Sequence, residues 1–244
     1  MKKLRVLVVS IAVLGFAAVG SSATAGLPGN PPCIGGAILG GVYYGNLVVA
    51  GNCTFADGAS ITVYGNLVVS PGGVLNDHAA STATVHVTGN VIVGRGGVVG
   101  LGDYNPVPPH TSAVVDGSVL AGGASTIYLG GMTVHGNVVF AGGGSAGRNL
   151  PIKDDQIDGN LIISGWRGLW FGVIRDTVGG NVLLLNNTAA NPSQDPGSDS
   201  SEVVTNTIAG NLACFGNTPA PQVGDSEGAP NVVGGEKLGQ CSGL

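Results

Sequence analysis

The segment Val63-Tyr64-Gly65-Asn66-Leu67-Val68-Val69 contains a unit that runs through most of the chain. It returns as Gly45-Asn46-Leu47-Val48-Val49, Gly89-Asn90-Val91-Ile92-Val93, the variant Gly117-Ser118-Val119-Leu120, and Gly136-Asn137-Val138-Val139-Phe140. Gly159-Asn160-Leu161-Ile162-Ile163, Gly180-Asn181-Val182-Leu183-Leu184 and Gly210-Asn211-Leu212-Ala213-Cys214 continue it, and Gly234-Gly235-Glu236 reads as a degenerate last copy. Successive glycines are 20, 24, 28, 19, 23, 21, 30 and 24 residues apart. A period near 20 residues with occasional insertions is the signature of a solenoid.

Residue type selects the kind of solenoid. Every unit is rich in Val, Ile and Thr alternating with small residues, the composition of strands. About 20 residues at roughly 3.3 Å each trace a loop of roughly 66 Å, enough for three short strands. The expectation is an all-β fold, a right-handed parallel β-helix of about eight to nine coils, the hand being that of parallel crossovers.

The columns of the repeat say how such a coil is filled. Two places before each glycine stand Val63, Val87, Val115, Val134, Ile157, Val178, Ile208 and Val232, an inward column. Positions two and four after it, such as Leu67 and Val69, should also point inward. Asn46, Asn66, Asn90, Asn137, Asn160, Asn181 and Asn211 recur one place after the glycine. Amides stacked in register bond along the stack, so these asparagines read as a structural ladder at the bend.

Composition agrees. The 244 residues include 45 Gly, 43% are hydrophobic and only 9% are charged. That is too apolar for disorder and too poor in Glu, Lys and Leu for a helix bundle. The glycines do not fall at every third place, which excludes collagen.

Residues 1–25 read as a secretory signal: Lys2, Lys3 and Arg5, then an apolar run from Val6 to Gly20, then Ala23-Thr24-Ala25 with cleavage after Ala25. An uncleaved anchor is the alternative. Without the signal, six basic residues face 14 acidic ones, a net charge of −8. This balance speaks against nucleic-acid binding and against docking on anionic lipid. The expected product is secreted or held at the cell exterior, with no membrane association after cleavage and no cofactor.

Residues 26–244 form the single expected β-helix domain. Pro106, Pro108 and Pro109 place a loop at 103–113, the acidic stretch with Asp195, Asp199 and Glu202 a second at 188–204, and the Pro- and Gly-rich end a cap at 215–244. Four cysteines in an exported chain suggest disulfides, and one pair lies near each end: Cys33 with Cys53, and Cys214 with Cys241. Metal binding is the alternative, but no CxxC and no neighbouring His supports it; no metal site is expected.

The Gly-Asn-[Leu/Val]-x-Val unit, the early Cys33 and Cys53, and the ending Cys214-x-x-Asn217-Thr218-Pro219 to Gly239-Gln240-Cys241 resemble secreted bacterial β-helix proteins of unknown function. The repeat is more distantly similar to bactofilin-type polymers and β-helix adhesins. The resemblance implies fold and export, and brings no activity.

Chemistry has three candidate places. The column just before each glycine stacks Asp116, His135 and Asp158 in successive units, with the carboxylates roughly 9.6 Å apart, at the edge of the inverting-glycosidase range; charge pairing on a solvated face is the plainer reading. Lys153, Asp154, Asp155, Arg167, Arg175 and Asp176 could hold an acidic sugar or calcium, or be loop charge. Trp166, Arg167 and Trp170 concentrate the only tryptophans and could bind a ligand, or fill a widened coil. No G-x-S-x-G elbow is present.

The column three places after each glycine reads Val48, Val68, Ile92, Leu120, Val139, Ile162, Leu183 and Ala213. Strand alternation turns it outward, so a continuous aliphatic stripe should climb the surface as an interface, unless a loop covers it. Two function classes follow. One is a structural or interaction protein of the cell exterior, binding itself or a cell-surface polymer. The other is a carbohydrate-active enzyme, a polysaccharide hydrolase or lyase using Asp116, His135 and Asp158, or the cluster around Asp154.

Overall fold

Alternation in the repeat becomes alternation in space. The structure, a computed structural model, describes residues 29–76, 82–103, 111–190, 200–223 and 229–244. The expected signal segment lies outside the described residues, as do the middle parts of both expected loops and part of the cap. Every regular element among the described residues is a β-strand, and the strands pair in parallel. The result is an all-β fold of long parallel sheets, stacked in the manner of a solenoid.

One sheet has nine strands: Gly41–Tyr44, Ser60–Tyr64, Thr84–Val87, Ser112–Val115, Thr133–Val134, Gln156–Ile157, Thr177–Val178, Thr207–Ile208 and Val232–Val233. A 16-stranded sheet comprises two faces joined through the long strand Leu47–Phe55. The first part of that strand pairs with Leu67–Val69, and its later part with Val74–Asn76. What we call the first face follows each Gly-Asn pair and runs from Leu47 through Val138–Ala141 and Leu161–Ser164 to Lys237–Gly239. The second face runs from Cys33–Ile38 through Thr126–Gly130 and Trp170–Ile174 to Ser201–Val204. The nine-stranded sheet is the third face. A two-stranded sheet, Arg167–Gly168 with Thr188–Ala189, is added near the C-terminal end.

The core is the space the faces enclose. Leu67, Val69, Val91, Val119, Val138, Leu161 and Val182 are buried from the first face, and Val63, Val87, Val115, Val134, Ile157, Val178 and Ile208 from the third. Phe140, Phe171 and Trp166 are among its largest side chains.

The Gly-Asn pair has a steric and a polar reason. A Cβ on Gly89 would lie 2.5 Å from the Gly65 carbonyl oxygen, and the same clash recurs at Gly117, Gly136 and Gly159. Only glycine lets the coils approach at this corner. The next residue's side chain then accepts from the coil above. Asn66 N–H donates to Asn46 Oδ1 at 2.9 Å, Asn90 to Asn66 at 2.8 Å, Ser118 to Asn90 at 2.8 Å and Asn137 to Ser118 Oγ at 3.0 Å. Asn160, Asn181, Asn211 and Glu236 continue the column. The corner N–H groups that leave the sheet ladder are satisfied in this way.

Three expectations need adjustment. The last copy begins at Gly235, not Gly234, because Gly235 N–H bonds Gly210 O, so Val233 takes the inward register and Val232 is 66% exposed. The segments read as loops at 103–113 and 188–204 contain strand at their ends, Ser112–Val115, Thr188–Ala189 and Ser201–Val204, because these residues still find parallel partners. The segment 215–244 is not only a cap: Val232–Val233 and Lys237–Gly239 add a further strand to the third and first faces. Cys33 is bonded to Cys53 and Cys214 to Cys241.

Candidate functional site

The first face carries the aliphatic stripe in strict register. Val48 pairs with Val68, Val68 with Ile92, Ile92 with Leu120, Leu120 with Val139, Val139 with Ile162, Ile162 with Leu183 and Leu183 with Ala213. Leu238 pairs with Ala213 and extends the stripe by one strand that sequence reading missed, because Lys237 breaks the aliphatic pattern there. On the same strands Val49, Val69, Val93, Phe140, Ile163 and Leu184 are buried, so the stripe residues point outward. Most are half-buried. Ile92 is 36% exposed, while Ala213 is buried.

A second outward column, two residues further along each strand, was not singled out from the sequence. It reads Ala50, Ser70, Gly94, Gly122, Ala141, Ser164, Leu185 and Phe215, and Phe215 is 49% exposed. Its signal was the small residue five places after the glycine in six units, from Ala50 to Ser164.

The third face separates what the sequence had stacked. His135 Nδ1 lies 2.7 Å from Asp158 Oδ2, but Asp116 turns to His86, whose Nε2 is 3.0 and 3.1 Å from its two carboxylate oxygens. The expected Asp116–His135–Asp158 trio is therefore two His–carboxylate pairs. The extra partner is His86, three places before Gly89 in the neighbouring outward column. The hydrogen bond from His135 holds the Asp158 carboxyl below its ordinary value, helped by Gln156 Nε2 at 3.0 Å. All four side chains stand between 41% and 50% exposed on an open sheet.

The aromatic segment also divides. Trp166 is not a surface group: it is fully buried, edge-to-face with Phe171 at 6.0 Å. Arg167 is exposed on the two-stranded sheet. Trp170 lies on the second face, across Gly172, where a Cβ would meet its ring, with Lys153 Nζ 5.0 Å from the ring centroid. Further along this face a shallow cavity of about 470 Å³ is lined by Asn52, Val74, Asn76, Val98, Tyr128 and Arg148.

The acidic cluster is mostly internal. Asp154 binds Arg175 through Oδ1 at 2.7 Å and Oδ2 at 2.8 Å. Asp155 and Asp176 are buried at the corner between second and third faces. Met132 N–H donates to Asp155 Oδ1 at 2.9 Å, Asp155 N–H to Asp176 Oδ1 at 2.8 Å, Asp176 N–H to Asn206 Oδ1 at 2.8 Å, and Asn206 N–H to Asn231 Oδ1 at 3.1 Å. This is a second side-chain column, with two aspartates in asparagine places. Burial pushes both carboxyls well above the usual range, and the neighbouring carboxylates add to it. Two inward, hydrogen-bonded acids do not form a calcium or sugar site, and no group of three or more His, Cys, Asp or Glu suited to a metal exists among the described residues.

No protein-family model, no curated protein and no solved structure matches this chain. No helix among the described residues is long and apolar enough to cross a membrane.

Proposed function

We propose that this is an exported structural or interaction protein of the bacterial cell exterior, folded as a right-handed parallel β-helix of eight to nine coils. Its first face makes contact with a cell-surface polymer or with itself. The observation that carries this reading is the stripe from Val48 to Leu238, kept in register over nine strands. A core needs only inward positions to be apolar; an outward ladder of Val, Ile and Leu is explained by something that covers it. The resemblance to secreted Gly-Asn-repeat proteins, the signal-like residues 1–25 and the two disulfides support export.

The test is Val139→Lys with Ile162→Lys. Both side chains are outward and half-buried, so the variant should keep the native far-UV spectrum and melting temperature within a few degrees. Binding to isolated cell-surface polymer and self-association should both be compared with wild type. Loss of either, with the fold intact, supports the contact face; unchanged behaviour in both defeats it.

A further inference from the structure

We propose that the first face packs against the same face of a second copy of this chain, about a two-fold axis parallel to the long axis of the solenoid. The proposal rests on the reading of that face as a contact surface and names its occupant.

The argument is the size pattern of the two outward columns. The stripe presents Val, Ile and Leu. The neighbouring column presents Ala50, Ser70, Gly94, Gly122, Ala141 and Ser164. The face is thus a ridge beside a groove, running up the molecule. A two-fold axis parallel to the ridge, lying between two such faces, exchanges the columns: each ridge falls opposite the partner's groove. An axis perpendicular to the ridge sets ridge on ridge and groove on groove, leaving voids that well-packed interfaces avoid. Near the C-terminal end the pattern inverts within one strand. Ala213, buried, stands in the ridge column and the exposed Phe215 in the groove column, so large still meets small under the parallel axis. The strand of Leu183 and Leu185 alone presents two large side chains.

Charge favours a like partner. The chain is acidic, at −5, yet the two columns carry no charged residue from Val48 to Phe215. Two copies can meet here without bringing carboxylates together. Area sets the strength. Nine strands about 4.8 Å apart span about 38 Å, and two columns cover a width of about 14 Å, so each copy buries about 500 Å². The total of about 1,000 Å² is at the lower limit of specific interfaces, which fits a reversible dimer.

Sedimentation of the purified protein should show the mass rising towards twice the monomer with concentration. Ala141→Leu, which fills the groove while making the face more apolar, should raise the dissociation constant by about tenfold or more. A merely sticky face would respond with tighter association, which would overturn the proposal. The axis is read by spin labels on single cysteines at Thr62, Thr133 and Thr207, which share one outward column of the third face. A parallel axis gives the same inter-copy distance at all three. A perpendicular axis gives a minimum at Thr133 and longer distances at both ends, displaced by about 29 Å along the axis, and overturns the proposal. A protein that stays monomeric but binds cell-surface polymer in a Val139→Lys-sensitive way overturns the second copy and leaves the contact face standing. A monomer whose polymer binding ignores Val139→Lys removes both.

Discussion

Asp155 and Asp176 should each become asparagine with a gain in stability at neutral pH. Both occupy places that Asn206 and Asn231 fill one and two coils later. There the amide does two things: Oδ1 accepts a backbone N–H from the adjacent coil, and Nδ2 donates to a carbonyl, Asn206 to Val173 O at 2.8 Å and Asn231 to Val203 O at 2.7 Å. Asp155 and Asp176 do the first with Oδ1, but Oδ2 of each is buried without a hydrogen-bond partner. An ionised Oδ2 offers lone pairs where the column needs a donor; a protonated one supplies the missing O–H. The charged neighbours that act on this pair are carboxylates, Asp154 in its ion pair with Arg175 and the two acids themselves, and each of them disfavours ionisation.

The sign follows from linkage. Both folded carboxyls titrate well above the ordinary value near 4, so the folded state keeps protons that the unfolded chain has released. Their full contribution to stability is present below about pH 4 and is lost progressively as pH rises through the folded values. Above about pH 4 the unfolded chain releases protons that the buried acids keep, and where a folded acid does ionise its Oδ2 lacks a donor; asparagine carries that donor at every pH and so removes a cost of about 1–3 kcal/mol. At about 2–4 °C per kcal/mol for a chain of this size, each substitution should raise the melting temperature by roughly 2–12 °C at pH 7. Near pH 4, where the aspartates carry their protons, the same substitutions should change little. Thermal melts of wild type, Asp155→Asn, Asp176→Asn and the double variant across pH 4–8 decide it. If the asparagine variants melt at or below wild type at pH 7, or the double variant keeps the wild-type pH slope, the neutral-acid reasoning is wrong.

Other outcomes follow from the same geometry. Asn160→Ala removes the acceptor of Asn181 N–H and Nδ2–H, at 2.8 and 3.0 Å, and should destabilise by about 1–3 kcal/mol, read by denaturant titration. Reducing the disulfides frees loops of 20 and 27 residues, each worth about 3 kcal/mol in chain entropy, and should lower the melting temperature; non-reducing peptide maps should return Cys33 with Cys53 and Cys214 with Cys241. Far-UV circular dichroism should show strand with almost no helix, and a substantial helical signal would contradict the parallel sheets.

Much of this architecture was legible because a solenoid writes its structure into a period. Val63, Val87 and Val115 could be stacked on paper since each coil repeats one backbone, and the Asn66–Asn90 contact follows from the same register. Legibility ended where the register slipped or where chemistry depended on a diagonal. The paired glycines Gly234 and Gly235 offer two starting points for the last copy, and counting from Gly234 instead of Gly235 turns Val232 inward on paper, the flip that a single-residue shift imposes on any strand. Asp116 chose His86 over His135 because an outward side chain can reach a neighbouring column as easily as its own, and column position does not rank those options. Trp166 had two readings, a ligand-binding ring or the filling of a coil, because a local concentration of aromatics does not say which ring turns inward; the fully buried indole takes the second.

The acidic residues teach the most about reading function from such a chain. Asp154, Asp155, Arg175 and Asp176 have the composition of a binding site and the spacing of a solenoid corner. What separates the two readings is phase. Asp155 and Asp176 are 21 residues apart, one coil, and each directly follows a residue with left-handed backbone, Asp154 at φ 61° and Arg175 at φ 59°. Thr205, at φ 59°, precedes Asn206 in the same way one coil on. At Asp155, Asp176 and Asn206 the corner takes a left-handed residue and then a short side chain with an acceptor pointing along the stack, and Asp fills that place as Asn does, except that its Oδ2 lacks the amide's donor hydrogens. The outward residues of the first face pass the opposite test: no corner, cap or core explains why they should be aliphatic. In a repeat protein, residues that the coil's own geometry accounts for can be set aside, and the unexplained column is where function is to be sought; here that is the ridge from Val48 to Leu238 and the groove beside it.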